Sequence, residues 1–263
     1  MKKIKQVLSG KKSIYLVGDL HYPRGSVKKF QEVVERISED YNSLMIGLGD
    51  WIEGIIPGDP RYHPVEAHNI SKNNKENNLN MINNQWDDFE DMIKPISNQI
   101  LGLHSGNHGG NISKRYSCNI LESICKRLDI KYLGEETAVW DFNSKNNHVF
   151  FQTFHGSGGG VTPGYAVTKA DKCSRIFADI NVVAMGHTHK LSINTSIQPL
   201  DVKGDKIKQN VQFQCNCGSF LPNYLEDMPS YGERKMYPPL PMGCIRVDLD
   251  DCRIVDAPVI IPL

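Results

Sequence analysis

The chain has 263 residues, with 30 Lys plus Arg against 30 Asp plus Glu, and nine His. This length can bury a large core without disulfides or structural metals, and 40% hydrophobic with 23% charged residues excludes wholesale disorder. A formal net charge of zero argues against a broad basic surface for nucleic acid, and no apolar run approaches the ~18 residues of a membrane-spanning helix.

Residues 1–12 are basic and lack the apolar core of a secretory signal, so a soluble, cytoplasmic protein is expected. The seven cysteines agree with that compartment: they are odd in number, form no C-x-x-C pair, and are expected as free thiols.

In chain order, apolar runs at 14–17, 44–48, 100–103, 149–154 and 182–185 have the length and composition of buried strands bounded by turn residues. Helical periodicity is expected over 27–38, 79–93 (closed by Pro95) and 115–128. Between the second and third strands lies an inserted region of about 55–95, beginning with Pro- and Asn-rich loop sequence. From about 190 to 263 the chain turns β-rich, with strands expected near 191–197, 211–217, 243–249 and 253–255 that would complete a second sheet. Strands alternating with helices imply a layered α/β domain. One domain over 1–263 is expected.

The five strand runs share one property: each ends in a polar cluster. The first leads into Asp19 and His21, the second into Asp50, the third into Asn107 and His108, the fourth into His155, and the fifth into His187 and His189. In α/β folds the carboxyl ends of the strands are where ligands gather, so these clusters predict one shared site. Without His108 they supply two carboxylates, one amide and four imidazoles. A tetrahedral zinc site needs four protein ligands; seven suffice for two metals bridged by a carboxylate. Oxygen and imidazole donors without thiolates favour Mn²⁺, Fe²⁺, Ni²⁺ or Zn²⁺ over Ca²⁺.

Taken together and in this order, Asp19-x-His21, Gly49-Asp50, Gly106-Asn107-His108, His155-Gly156 and Gly186-His187-x-His189 resemble the motifs of the calcineurin-like metallophosphoesterases. The stretch from Cys217-Gly218-Ser219-Phe220 to Tyr231-Gly232-Glu233-Arg234 resembles, more loosely, the carboxyl-terminal part of small bacteriophage-type members. The resemblance implies a four-layer αββα sandwich, two mixed sheets flanked by helices, with a dinuclear metal centre at the strand ends. It assigns Asp19, His21, Asp50 and His189 to one ion and Asp50, Asn107, His155 and His187 to the other, with Asp50 bridging. His108 matches the histidine that serves the family as general acid or charge stabiliser. The implied activity is hydrolysis of phosphomonoesters or phosphodiesters with two divalent transition-metal ions, Mn²⁺ first among them.

The chain departs from the family pattern in having Gly109 after the Asn-His pair and Glu53 at the fourth place of Gly-Asp-x-x-Asp. Glu53 is expected to orient His108 through a hydrogen bond. The arginine that follows the second motif in the Ser/Thr protein phosphatases is absent, which disfavours that branch. Arg61 and His63, in the inserted loop, are candidates to clamp substrate over the metals. His104 reads as a packing residue, His148 as exposed, Lys114 and Arg115 as the start of an exposed helix, and Gly158, Gly159 and Gly160 as a loop. The expected partner is a phosphoester substrate, a nucleotide or nucleic-acid end included. A metal-dependent DNA nuclease is the alternative, weakened by the even charge balance; a catalytically silent scaffold would require missing ligands.

Overall fold

The computed structural model describes residues 1–55, 62, 78–145, 147–160, 162–197, 210–224 and 230–263. In chain order the elements are β1 (Lys2–Val7), β2 (Lys11–Val17), α1 (Val27–Ser38), β3 (Ser43–Gly47), α2 (Asn78–Ile93), a 3₁₀ segment (Lys94–Gln99) and β4 (Ile100–His104). They continue with α3 (Gly106–Tyr116), α4 (Ile120–Arg127), β5 (Tyr132–Gly134), β6 (Ala138–Ser144), β7 (Asn147–Phe154), α5 (Pro163–Ser174), β8 (Val182–Met185), β9 (Leu191–Ile197) and β10 (Val211–Cys217). The short α6 (Tyr231–Arg234) and strands β11 (Gly243–Asp250), β12 (Arg253–Ile254) and β13 (Val259–Pro262) complete the chain.

The strands form two mixed sheets. One runs β1-β6-β7-β8-β10-β9; the other runs β12-β11-β2-β3-β4-β5, with β13 also paired to β11. Side-chain alternation explains the layers. Along β2, Ile14 and Leu16 point between the sheets with Ile46, Trp140, Phe142, Phe151, Val182 and Ala184. Tyr15 and Val17, one residue out of phase, face the other way, onto Phe30, Val33 and Ile37 of α1 and Trp86 and Phe89 of α2. On the far side, Val183 and Met185 of β8 turn outward to Ala170 of α5. Helix, sheet, sheet and helix therefore stack in four layers, the αββα arrangement expected. Fully buried side chains such as Phe142 and Phe151 each stabilise this stack by ~1.5–3 kcal/mol.

Several local expectations are corrected. The carboxyl-terminal strands do not complete one sheet: β9 and β10 extend the first, while β11, β12 and β13 join the second, with β11 antiparallel to β2. The helix expected over 115–128 is two helices, parted where Ser117 takes a φ of 52° and Asn119 caps α4 by accepting from the Glu122 backbone N–H. β1, β5, β6, β13, α3, α5 and α6 are not among the expected elements. β1 pairs in parallel with β6, and its lysine-rich sequence KKIKQV alternates exposed and half-buried positions at a sheet edge, where charge blunts edge-to-edge pairing. All seven cysteines are free. No helix among the described residues is long and apolar enough to cross a membrane.

Candidate metal centre

Three motifs leave the ends of β2, β3 and β4 in one sheet, and two leave β7 and β8 in the other, so the site lies on the edge where both sheets meet. Ladder bonds continue past the strands and fix the motifs to one another: Asp19 N–H donates to Gly49 O at 2.8 Å, His21 N–H to Asp50 O at 2.9 Å, and Gly186 N–H to His155 O at 3.0 Å. Asp19, His21, Asp50, His187 and His189 all have φ between 53° and 65°. Non-glycine residues seldom take this left-handed conformation, which costs of order 1–3 kcal/mol each and concentrates at functional sites. Glycine is required beside them: a Cβ on Gly106 (φ 73°) would lie 2.3 Å from Asp50 Oδ1, and one on Gly186 would lie 2.5 Å from Asp19 Oδ2.

The structure brings together all seven expected ligands. Potential donor atoms converge within 4.8 Å of one another in the groups Asp19–His21–His189 and Asp50–His155–His187, with His21–Asp50–His108 between them. Each of three imidazoles commits its outer nitrogen elsewhere. His21 Nδ1 lies 2.9 Å from Glu53 Oε2, His155 Nδ1 donates to Leu48 O at 2.8 Å, and His187 Nε2 donates to Gly158 O at 2.7 Å. Such bonds fix the tautomer and leave the inner nitrogen as a lone pair.

Those inner nitrogens then face one another. His21 Nε2 and His189 Nε2 lie 3.0 Å apart, and His155 Nε2 and His187 Nδ1 lie 3.1 Å apart. Two lone pairs at this spacing repel unless a proton or a cation lies between them, and ring nitrogens at ~2.0–2.1 Å from one ion can have this separation. Asp19 Oδ1 is fully buried and without a hydrogen-bond partner among the described residues; it lies 3.3 Å from His189 Nε2 and 3.7 Å from His21 Nε2. Its other oxygen accepts from His187 N–H at 2.8 Å. Asn107 turns Oδ1 toward His187 Nδ1 at 2.7 Å and His155 Nε2 at 2.9 Å. In a cation-free site the amide rotated by half a turn would place its two N–H groups to donate to His187 Nδ1 and Asp50 Oδ2; with a cation between the rings the oxygen is the useful atom. Orphaned oxygen, paired lone pairs and inward amide oxygen all fit divalent ions. Asp50 Oδ2 lies 3.0 Å from His155 Nε2 and 4.0 Å from His21 Nε2, between the two groups.

Electrostatics agree. Burial alone would raise the Asp50 carboxyl, but His155, His108 and His21 hold it well below the usual carboxylate range. Burial opposes ionisation of Asp19 too, and His189 and His21 reverse it. Conversely, burial disfavours the imidazolium of His21, yet the neighbouring Asp19 carboxylate and the bonded Glu53 push its pKa up to about 10, and Asp50 with Asp19 raises His155 to about 9. The metal-free cluster thus gathers protons to balance its buried carboxylates, the task a divalent cation would perform.

Glu53 corrects one expectation. Its carboxylate does not hold His108: Oε2 bonds His21, Oε1 accepts from Arg24 Nη1 at 3.0 Å, and it is the backbone carbonyl that receives His108 Nδ1, at 2.5 Å. From Oε2 to His108 Nδ1 the distance is 4.0 Å. His108 Nε2 lies 3.9 Å from Asp50 Oδ2, on the rim of a cavity of about 310 Å³. Sequence reasoning missed Arg24 and Lys190, which also line this cavity; nothing in their local pattern separates them from surface cations. Arg61 and His63 lie outside the described residues. His104 is buried, with Nε2 3.0 Å from Thr153 Oγ1, and burial pushes its pKa down to about 3. His148 is exposed, and exposed Lys114 pairs with Glu135.

No family model matches the chain, and no curated protein matches it. Among solved structures, Vacuolar Protein Sorting 29 from Cryptosporidium parvum is 14% identical, with 97% of this chain and 100% of that one covered at a TM-score of 0.42. A single mutant of Vps29 from Entamoeba histolytica is 14% identical over 95% of this chain and 99% of that one, at 0.41. A conserved uncharacterized protein from Streptococcus pneumoniae, described as a predicted phosphoesterase, is 14% identical over 97% and 100%, at 0.37. The two mixed sheets, their flanking helices and the strand-end His/Asp cluster are themselves consistent with the metallophosphoesterase fold.

Proposed function

We propose that the protein is a metal-dependent phosphoester hydrolase acting on phosphomonoesters or phosphodiesters. The observation that carries this reading is the two pairs of facing imidazoles, one on either side of Asp50 Oδ2, at 3.0 Å and 3.1 Å. Asp19, His21, His189 and Asp50 would hold one divalent ion; Asp50, Asn107, His155 and His187 would hold the other. With nitrogen and oxygen donors only, Mn²⁺ is the first choice, ahead of Fe²⁺, Zn²⁺ and Ni²⁺. When bound, two such ions neutralise phosphoryl oxygens and supply hydroxide at neutral pH by lowering the pKa of water toward ~7.

The chain's own residues do the rest. His108 is anchored through Nδ1 to the Glu53 carbonyl, which leaves Nε2 as the atom facing the cavity. From there it gives a proton to the departing alkoxide, general-acid work worth ~10²–10⁴-fold. Glu53 keeps His21 in the tautomer that offers Nε2 inward, and Arg24 balances the Glu53 charge. Buried walls hold these groups in place, so little reorganisation is needed when charge develops.

The test is to purify the protein, measure bound metal, and assay p-nitrophenyl phosphate and bis-p-nitrophenyl phosphate with Mn²⁺. Bound metal and Mn²⁺-dependent turnover of at least one substrate are expected. Absence of metal together with inactivity on a broad phosphoester panel contradicts the proposal.

A further inference from the structure

Beside the metal centre, the cavity contains a cation that nothing among the described residues neutralises. Lys190 follows His189 into β9, is 6% exposed, and lines the cavity. Among the described residues no carboxylate, carbonyl or hydroxyl accepts from its Nζ. Its Nζ is not among the fully buried atoms that lack a partner, so the amine reaches the solvent of the cavity with no protein counter-charge bonded to it among the described residues. Arg24, also on the cavity wall, is matched to Glu53 at 3.0 Å. Two polar side chains nearby are committed within the wall: Asn223 donates to Pro238 O at 2.7 Å, and Ser230 donates to Asn223 O. Leu221, Pro222 and Leu240 supply apolar surface to the same cavity.

We propose that Lys190 holds a second anionic group of the substrate. The molecule cleaved then carries one phosphoester at the metal centre and a further phosphate joined to it through a carbon skeleton that rests on Leu221, Pro222 and Leu240. This rests on the phosphoester-hydrolase reading above. A phosphate accepting from a lysine in a partly dry cavity forms a charge-assisted bond, about twice as strong as a neutral one, and supplies the counter-charge that Lys190 lacks. Nucleotides and sugars both offer such bisphosphates, and the test separates them.

The experiment compares the Mn²⁺-loaded wild type with Lys190→Met and Lys190→Arg on two substrate pairs. These are adenosine 3′,5′-bisphosphate with adenosine 5′-monophosphate, and fructose 1,6-bisphosphate with fructose 6-phosphate. Dissociation constants of the same four compounds for EDTA-treated protein, by titration calorimetry, give a readout independent of turnover. The wild type is expected to favour the bisphosphate by ~10-fold or more in one pair, and that pair identifies the skeleton. Lys190→Met should erase the preference in both kcat/KM and binding, and Lys190→Arg should keep most of it. Lys190→Gln replaces the Met variant if that one does not fold. No bisphosphate preference in the wild type, or a preference that survives Lys190→Met, overturns the proposal. If no compound is cleaved but the bisphosphate still binds more tightly through Lys190, the subsite stands and the hydrolase reading fails. Turnover without any preference upholds the hydrolase and removes the subsite.

Discussion

Filling the metal centre should expel about two protons. In the metal-free chain His21 and His155 are buried, which opposes their charge, yet Asp19 and Glu53 raise the first to about 10 and Asp50 with Asp19 raises the second to about 9. At ~pH 7.5 both rings therefore carry an extra proton, held on inner nitrogens that an ion would need as lone pairs. At ~1.36 kcal/mol per pH unit, removing them costs about 3 kcal/mol for His21 and about 2 kcal/mol for His155. This cost falls as pH rises. The logarithm of the apparent Mn²⁺ affinity should climb with a combined slope near ~2 per pH unit between ~7 and 9, and level off above ~10. Titration calorimetry in PIPES and in Tris, buffers that differ in protonation enthalpy, counts the protons directly. Two Mn²⁺ bound with about two protons released is the expected result. Binding with no proton release, or an affinity independent of pH over this range, would refute the coupling between imidazoles, carboxylates and metal.

Other consequences follow from the same geometry. His108→Gln should lower kcat by ~10²–10⁴-fold on alkyl phosphoesters, much less on p-nitrophenyl esters, whose leaving group needs no proton, and should retain Mn²⁺; equal losses on both classes would argue against an acid role. Glu53→Gln leaves the His108 anchor intact, since a backbone carbonyl provides it, but removes the carboxylate from His21 and Arg24. Mn²⁺ affinity should fall ~10–100-fold, with activity recovered at high Mn²⁺; unchanged affinity would contradict that role. Without metal, stability should depend on pH from both sides. The raised pKa of His21 contributes stability present below its ordinary 6.5 and lost as pH rises through about 10. The depressed carboxyls of Asp19 and Glu53 contribute stability present above their ordinary 3.8 and 4.5 and lost as pH falls below them. Thermal melts in EDTA should therefore peak at about pH 5–6.5, whereas a Tm flat from ~4 to 10 would show that these groups are not coupled to folding.

The site was more legible in the sequence than the fold around it. Asp19, His21, Asp50, Asn107, His155, His187 and His189 end short apolar runs, and that pattern is local. The helix that carries Asn107 and His108 in its first turn was not legible, because Gly-Asn-His-Gly-Gly-Asn is poor helix-forming sequence and only tertiary packing overrides such propensity. The division of β9 to β13 between two sheets depends on pairings such as Ile245 with Leu16, more than 200 residues apart, which no window of sequence contains. β6 was readable in principle, since AVWDFNS places Ala138, Trp140 and Phe142 on one face. Glu53 shows a different limit: its place in the motif marked it as a partner of the site, but which imidazole met its carboxylate and which its carbonyl is a matter of three-dimensional placement. Arg24 and Lys190 carried no signal because burial, not residue type, distinguishes them.

Crystals soaked in Mn²⁺ and measured at the manganese absorption edge test the central claim most directly. Two anomalous peaks are predicted, one in contact with Asp19, His21 and His189 and the other with Asn107, His155 and His187, with Asp50 touching both. No peak among these residues, at a Mn²⁺ concentration that saturates binding in solution, would contradict the account.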